Sequence, residues 1–225
     1  MSGKIGFNIN KTITRPPKEM IEQISVFATP NISDSLNKFN VMSPDIKPVL
    51  DEIKICGPAV TVRMRPGDNL MLHKVGSEIQ PGDIVVVDTC GSSANSVIGD
   101  LMTTALVKAG VGGIVIDGGI RDILELRAEK YPVFYRYITP AVGDKDGPGE
   151  INGLISCGGV PVRPGDIILG DANGVVVIPQ EIAEEAIAGA KKKLEYEAAR
   201  RKEIEAGIIV KEAVDEQLRK KGVID

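Results

Sequence analysis

Three residues near the middle of the chain could together bind and activate a small organic acid: Asp100, Arg121 and Asp122. Arginine offers a planar pair of donors that fits a carboxylate or an enolate oxygen. Aspartate is a hard oxygen ligand for a divalent cation, and a second aspartate can help to hold cation-bound water. This combination predicts a site that chelates a 2-oxo acid and stabilises the charge left when a neighbouring carbon–carbon bond breaks.

Asp100 lies in the first of two strand-to-helix crossings that must position these residues. The stretch Val86–Met102 predicts a buried strand that ends at Asp88, a loop of small residues over Thr89–Val97, and a helix that begins at Gly99-Asp100. The first turn of that helix offers free N–H groups and a positive dipole end, which suit a carboxylate. A glycine at the helix start lets a ligand approach the backbone closely. The predicted substrate-binding residues are therefore Gly99, Asp100, Leu101 and Met102, together with Arg121.

The second crossing carries the Arg-Asp pair. The stretch Ile114–Glu125 predicts a buried strand ending at Asp117, a turn at Gly118-Gly119 and a helix starting near Arg121-Asp122. Ligands of open α/β sheets settle beyond the carboxyl ends of the strands. We therefore expect both crossings to meet at one sheet edge.

Each candidate also has a purely structural interpretation. Aspartate is common in the first turn of a helix because it satisfies free N–H groups, so Asp100 and Asp122 could be helix-start residues. Arg121 beside Asp122 could be a surface ion pair worth ~0–1 kcal/mol. His73, on a predicted short helix, is more often a packed or interface histidine than a base. Cys90 follows a strand end, but a buried thiol fits it better than a nucleophile because no histidine is near it in sequence.

Histidine and cysteine usage excludes several kinds of site. His73 is the only histidine, which excludes mechanisms and metal centres that need two. A bound metal would therefore have oxygen ligands, which favours Mg²⁺ or Mn²⁺ over zinc or copper. Cys56, Cys90 and Cys157 are odd in number and widely spaced, which is typical of buried thiols in a reducing compartment. We expect a cytoplasmic protein.

The charge balance gives no sign of a nucleic-acid or membrane partner. The net charge is −4 and the pI is near 5.3, so no basic field attracts nucleic acid or anionic lipid. With four Tyr, four Phe and no Trp, the chain also lacks stacking platforms for single strands. No run approaches the ~18 apolar residues of a membrane span, and the first residues lack the apolar core of a secretion signal.

Strands and helices alternate through the middle of the 225-residue chain, which predicts an α/β fold with extra β layers. Two short helices are predicted between Thr14 and Asn40, broken at Thr29-Pro30-Asn31, with the second starting at Ser33-Asp34. The predicted strands are Ile53–Arg63, Ile84–Asp88, Ile114–Asp117, Val133–Tyr137 and Val160–Val162.

The end of the chain predicts a long charged helix, Glu181–Lys221, interrupted near Gly207. Such a helix cannot bury much of itself on its own domain. We expect residues 1–179 to form the catalytic domain and residues 180–225 a helical extension that packs on a neighbouring subunit; a solvated tail is the alternative.

Three runs, GPAVTVRMRPGDNLMLHKV, QPGDIVVVD and GDLMTTALVKAGVGGIVIDGGIRD, resemble in this order the regulator of ribonuclease activity A-like family. Its enzymatic branch includes 4-hydroxy-4-methyl-2-oxoglutarate and 4-carboxy-4-hydroxy-2-oxoadipate aldolases. The resemblance covers about Ile32 to Pro179. The enzymatic branch carries an Asp, a spacer of twenty residues and then Arg-Asp, which Asp100 and Arg121-Asp122 reproduce. Glu125 follows where the family often has an acid.

The resemblance implies a three-layer β/β/α sandwich, assembled as trimers or pairs of trimers with sites between subunits. It implies that Asp122 coordinates Mg²⁺ or Mn²⁺ together with waters, and that Arg121 binds the oxo or carboxylate oxygens of the substrate. Family enzymes also decarboxylate oxaloacetate, since both reactions pass through a metal-bound pyruvate enolate. A glutamate from a neighbouring C-terminal helix assists in some members, and Glu197 is the candidate here.

Two departures from the family pattern leave the natural substrate open. Ile98 stands where an aromatic residue often precedes the Gly99 position, and the C-terminal helix is long and richly charged. Two other functions also stay open: a non-catalytic regulator that binds a ribonuclease, and a scaffold with an inactive enzyme core. Retention of Asp100 favours catalysis, because the regulator branch lacks that acid.

Overall fold

The computed structural model describes residues 5–225, so the first four positions of the predicted domain 1–179 lie outside the described residues. Strands and helices alternate through the middle of the chain, which ends in helices. The strands are β1 (Phe7–Ile9), β2 (Lys47–Pro48), β3 (Ile55–Met64), β4 (Ile84–Ile98), β5 (Gly113–Ile120), β6 (Val133–Ile138), β7 (Gly149–Ile151), β8 (Ile155–Cys157), β9 (Val160–Val162), β10 (Ile167–Asp171) and β11 (Gly174–Ile178). The helices are α1 (Lys18–Ser25), α2 (Thr29–Ser35), α3 (Leu70–Val75), α4 (Asp100–Lys108), α5 (Ile123–Ala128), a 3₁₀ turn (Gln180–Ile182), α6 (Ala183–Glu205) and α7 (Glu212–Lys220).

Four parallel strands, β3 to β6, form the centre of a nine-stranded sheet within the described residues. β7 pairs antiparallel with β3 and β2 pairs antiparallel with β6, while β1 extends the β7 edge. Leu72 of α3, Leu106 of α4 and Leu126 of α5 are buried in the same core as the apolar residues of β4 and β5. Because helices cover the central strands, these strands are continuous apolar runs rather than alternating ones.

β3 changes partner along its length and so creates a second β layer. Its first residues pair with β10, whereas its later residues pair with β4 and β7. Successive side chains of a strand point to opposite faces. Ile168 of β10 therefore belongs to the main core, while Leu169 packs with α1, α2 and α6 in a separate core. The predicted α/β fold with stacked β layers, N-terminal helices and a C-terminal helical extension is confirmed.

Both central strands extend further than predicted. β4 does not end at Asp88 but continues to Ile98, with register shifts through the predicted loop Thr89–Val97. Gly118 and Gly119 do not form a turn; they continue β5 and pair with Ser92 and Ser96. The small residues allow this pairing, because a Cβ on Gly119 would lie 2.5 Å from the Asn95 carbonyl oxygen. Glycine, a residue type that is typical of turns, therefore allows two strands to approach each other closely here.

Helix α2 starts at Thr29, so the predicted start at Ser33-Asp34 is wrong. Pro30 lies in the first turn, where its missing N–H costs no hydrogen bond. The N–H and hydroxyl of Thr29 both bind the Asp171 carboxylate, at 2.8 and 2.7 Å. This long-range partner fixes the helix start and could not be found from local sequence.

The C-terminal helix packs on the domain only through its beginning. Ala183, Ala186, Ile187 and Ala190 are buried against the second core, and the later residues of α6 are largely exposed. Gly207, with φ of +91°, separates α6 from α7 near the predicted interruption. In the described part of the chain, no helix is both long and apolar enough to cross a membrane.

A buried carboxylate, Asp68, ties two loops together. It accepts N–H hydrogen bonds from Leu70, Asp146 and Gly147 at 2.8–2.9 Å, and it lies 3.5 Å from Arg65. Burial would raise the pKa of Asp68, but these donors and Arg65 lower it below its ordinary value. The start of α3 is thereby fixed against the segment that follows β6.

We expect Asp68→Asn to lower the free energy of unfolding by about 2–3 kcal/mol, because an amide NH₂ would face N–H donors inside the protein. The pKa of Asp68 is lowered by folding, so its contribution is fully present above the unfolded value and is lost as pH falls through the folded value. Urea unfolding at pH 7 and below pH 4 measures both effects. The difference in the free energy of unfolding between parent and variant should be smaller below pH 4 than at pH 7. An equal difference at both pH values would contradict a role for the ionised carboxylate.

Candidate active site

The ends of β4 and β5 bring the two predicted crossings together. Ile98 and Ile120 are register partners, and the Arg121 N–H donates to the Ile98 carbonyl at 3.0 Å. Gly99 and Arg121 therefore follow neighbouring parallel strands at the same sheet edge. The sequence prediction that the two crossings meet is correct.

Asp122 turns back toward the first crossing because its backbone is left-handed, with φ of +57°. It is the residue before α5, but its side chain makes no capping hydrogen bond to that helix; instead its Oδ2 atom accepts the Asp100 N–H at 3.0 Å. The Arg121 Nε atom lies 3.6 Å from the same oxygen. The structural interpretation of Asp122 as a capping residue of α5 is therefore wrong, because its carboxylate binds the start of the other helix, α4.

Gly99 is required by this close approach. A Cβ atom added there would overlap Asp122 Oδ2 and would lie 3.0 Å from Cγ and Nε of Arg121. The backbone of Gly99 is extended, with φ of −144°, a conformation open to any residue. The constraint therefore comes from space beside the carboxylate and not from backbone strain.

The start of α4 leaves two N–H groups for a ligand. The first helical hydrogen bond runs from Thr103 N–H to the Gly99 carbonyl at 3.1 Å, and the Asp100 N–H is bound by Asp122. Leu101 and Met102 N–H groups precede the first helical bond and have no acceptor in the helix. Among the described residues, the N–H groups of Leu101 and Met102 therefore have no hydrogen-bond acceptor, and their binding of an anion stays a prediction.

A cleft of about 190 Å³ contains these groups. Its apolar part is formed by Val97, Ile98, Met102 and Val142. The complete set of residues around the cleft is Asn69, His73, Ser96, Val97, Ile98, Gly99, Leu101, Met102, Arg121, Asp122, Val142 and Lys145. Asp100 is absent from this set, and its backbone N–H is bound by the Asp122 carboxylate.

Four polar residues of the cleft were not among the predicted site residues: Asn69, His73, Ser96 and Lys145. Asn69 donates from Nδ2 to the Val97 carbonyl at 3.2 Å, and its buried Oδ1 has no partner among the described residues. Lys145 comes from the loop fixed by Asp68. The sequence predicts the short helix Asn69–Val75 that carries His73, but it does not indicate that Asn69 and Lys145 reach the cleft, because that depends on long-range contacts.

The surroundings of His73 lower its pKa below the ordinary value. Partial burial is the larger cause and the ammonium group of Lys145 is the second. His73 is exposed in this chain, so it is not a packed core histidine, and a position at an interface between subunits stays a prediction. A neutral imidazole can accept a hydrogen bond from a ligand in the cleft or donate one to it.

Among the described residues, one carboxylate oxygen of Asp122, the predicted metal ligand, accepts no hydrogen bond. Its side chain is 38% exposed, and Oδ1 has no hydrogen-bond donor within residues 5–225. No group of three His, Cys, Asp or Glu side chains in the described chain could enclose a metal ion. One open carboxylate matches a Mg²⁺-type site, because that ion keeps several waters and uses one or two protein carboxylates.

Glu197 and Cys90 lie away from this cleft. Glu197 is on α6, beside Lys193, and is not one of the residues around the cleft. Cys90 is exposed and has a left-handed backbone, so its predicted burial is wrong. The other two thiols differ from it: Cys157 is buried and Cys56 partly so, and burial raises the pKa of Cys56 to about 12.

Comparisons with known proteins match this architecture. A family model described as "RraA-like: Aldolase/RraA" matches residues 29–177, more than half of the chain. A protein of Halalkalibacterium halodurans, described provisionally as a 4-hydroxy-4-methyl-2-oxoglutarate aldolase, is 40% identical over 89% of this chain and 95% of its own. A Pseudomonas paraeruginosa protein with the same provisional description is 29% identical over 69% of this chain and 96% of its own.

A solved structure adds a second kind of relative. Streptomyces coelicolor RraAS2, described as an unusual member of the RNase ES inhibitor RraA protein family, superposes with a TM-score of 0.78. It is 27% identical, and the match covers 84% of this chain and 99% of that one. The same fold therefore occurs in proteins described as aldolases and as ribonuclease inhibitors.

We expect Gly99→Ala to lower kcat/KM for the substrate by about 100-fold, because displacing a reacting group by about 1 Å can cost this much. Gly76→Ala is the matched control, since an added Cβ there makes only a 3.5 Å contact with Leu106. Steady-state kinetics and thermal melting of both variants measure the effect. Equal kinetics for the two variants would show that the contact between Gly99 and Asp122 is not needed for turnover.

Proposed function

Because the chain belongs to the RraA-like family, we propose that it is a metal-dependent lyase that cleaves or decarboxylates small 2-oxo acids. Substrates resembling 4-hydroxy-4-methyl-2-oxoglutarate, and oxaloacetate, are the candidates. One observation carries the proposal: the Asp122 carboxylate, the Arg121 guanidinium and the start of α4 surround one cleft. Anion donors, a cation ligand and apolar surface are therefore available to a single small molecule.

Asp122 would hold the cation, Mg²⁺ or Mn²⁺, with water at most other positions. When bound, such a cation would supply a Lewis acid that stabilises negative charge on the 2-oxo group. The Asp100 N–H keeps the carboxylate of Asp122 aimed across the strand ends. The Asp100 carboxylate, beside it on the first turn of α4, would hold ordered water and exchange a proton with it.

Arg121 would orient the substrate. Its Nε faces Asp122 at 3.6 Å, and no hydrogen bond within the described chain occupies its two terminal nitrogens. These nitrogens form a planar fork that fits a carboxylate or the oxygen that gains charge. The N–H groups of Leu101 and Met102 would bind the carboxylate of the pyruvate-like end, while Val97 and Ile98 limit the water around the breaking bond.

An assembly would complete the site. We propose a trimer or hexamer in which Glu197 of the partner subunit approaches the cleft. Residues 180–225 would then be an extension that packs on a neighbouring subunit.

A ribonuclease regulator is the second candidate, and the similarity to RraAS2 over 99% of that chain supports it. This function needs a protein-binding surface but no cation and no turnover. Oxaloacetate decarboxylation, measured as pyruvate release with Mg²⁺ and again with excess chelator, separates the two. Absence of metal-dependent pyruvate release from every 2-oxo acid tried would favour the regulator.

We expect Asp122→Asn to abolish metal-stimulated turnover while the protein stays folded. Asparagine tolerates the left-handed backbone and retains an oxygen that can accept the Asp100 N–H, so chiefly the negative charge is lost. Pyruvate release is measured across a Mg²⁺ titration, and circular dichroism checks the fold. Asp51→Asn, at an exposed acid away from the cleft, is the matched control. Normal Mg²⁺ stimulation in Asp122→Asn would reject this cation assignment.

For Arg121→Lys we expect kcat/KM to fall about 100-fold, as when a preorganised donor is removed from an active site. Lysine keeps the charge but cannot bind two oxygens with a planar fork. Arg201→Lys, on the exposed part of α6, controls for the change of side chain. If Arg121→Lys retained nearly full activity, substrate binding by the planar fork would be wrong.

A further inference from the structure

A second cavity lies beside the end of β3 and shares no residue with the cleft of Arg121 and Asp122. Its volume is about 390 Å³, which lies within the ~300–1,000 Å³ that is typical of small-molecule sites. We call it the Arg63 cavity. Its walls include four polar side chains and two prolines: Arg63, Arg65, Cys90, Glu150, Pro66 and Pro148.

The end of β3 directs two guanidinium groups into this cavity. Successive side chains of a strand point to opposite faces, so Arg63 and Arg65 point to the same side. Met64, between them, is buried in the core. Two residues of extended chain separate the Cα atoms of the two arginines by about 6.6 Å. Two carboxylates joined by a short carbon chain can therefore each meet one guanidinium.

Arg63 has no ionic partner among residues 5–225. Its register partner on β7 is Glu150, but no ion pair within 4.0 Å joins the two side chains. The Glu150 carboxylate instead turns toward Gly153, because its Oε2 atom lies 3.2 Å from the position that a Cβ of Gly153 would occupy. The five N–H donors of the Arg63 guanidinium therefore remain available to a ligand.

Arg65 is engaged only in part. Its Nη2 atom lies 3.5 Å from the Asp68 carboxylate and 3.9 Å from that of Asp146. Both distances exceed the ~2.7–2.9 Å of a charge-assisted hydrogen bond. Because 46% of the Arg65 side chain is exposed, its remaining donors can reach a further acceptor.

We propose that the Arg63 cavity is a second binding site, for a small dicarboxylate, in which Arg63 and Arg65 each bind one carboxylate. The planar pair of donors on a guanidinium matches the two oxygens of a carboxylate. Pro66 and Pro148 provide apolar surface for the carbon chain. Glu150 is the one carboxylate around the described cavity, and its charge weakens the binding of an anion. The site goes beyond the proposed lyase, since neither a cation nor a 2-oxo group takes part.

Cys90 can report on this site, because its thiol is exposed and belongs to the cavity. The probe is succinate, a dicarboxylate without a 2-oxo group, and excess chelator keeps cations out of the cleft. Alkylation of Cys90 by iodoacetamide is followed in the full-length chain by peptide mass spectrometry, which separates it from Cys56 and Cys157. Sodium chloride at the same ionic strength is the reference.

We expect succinate, but not chloride, to slow the alkylation of Cys90. Arg63→Gln should raise the succinate concentration for half-protection about tenfold, as for the loss of one hydrogen bond to a charged group. Glu150→Gln should lower that concentration, because a like charge is removed. Arg121→Gln, in the other cleft, is the control and should leave it unchanged. Circular dichroism verifies the fold of each variant.

Equal alkylation rates in succinate and chloride would overturn the proposal. An unchanged half-protection concentration in folded Arg63→Gln would also overturn it. So would a loss of protection in Arg121→Gln, because succinate would then act from the cleft of Arg121 and Asp122. None of these measurements requires turnover, so their failure is distinguishable from a failure of the proposed lyase function.

Discussion

The hydrogen bond from the Asp100 N–H to the Asp122 carboxylate is the contact on which the site depends. It crosses from the helix after β4 to the helix after β5, so it fixes two backbone segments relative to each other. It exists because Asp122 adopts a left-handed backbone and because Gly99 has no side chain in the way. A charged acceptor makes such a bond stronger than one between neutral groups.

The cleft beside this bond combines charged groups with apolar surface. Arg121 and Lys145 provide positive charge, Asp122 provides a carboxylate, and Val97 and Ile98 provide apolar surface. Positive charge near an apolar surface suits a small anion, because low local polarity strengthens each electrostatic contact. The buried Asp68 carboxylate holds the loop of Lys145 in place, so a group outside the cleft determines part of its charge.

Membership of the RraA-like family limits the possible functions, but it does not distinguish between an aldolase and a ribonuclease inhibitor. Proteins described as aldolases and a protein described as a ribonuclease inhibitor share this fold. A regulator has no need of an open carboxylate beside an arginine and two free N–H groups, whereas a 2-oxo acid lyase uses all three.

The sequence by itself determined the α/β class, the central strands and the pairing of Asp100 with Arg121-Asp122, because continuous apolar runs and helix starts are local patterns. Tertiary structure alone decided that β4 continues to Ile98, that Asn69 and Lys145 reach the cleft, and that Cys90 is exposed. These features depend on strand pairing and on contacts between loops that are far apart in the sequence. Residue type could not reveal them, since the glycines and small residues that permit close strand approach are the same ones that form turns.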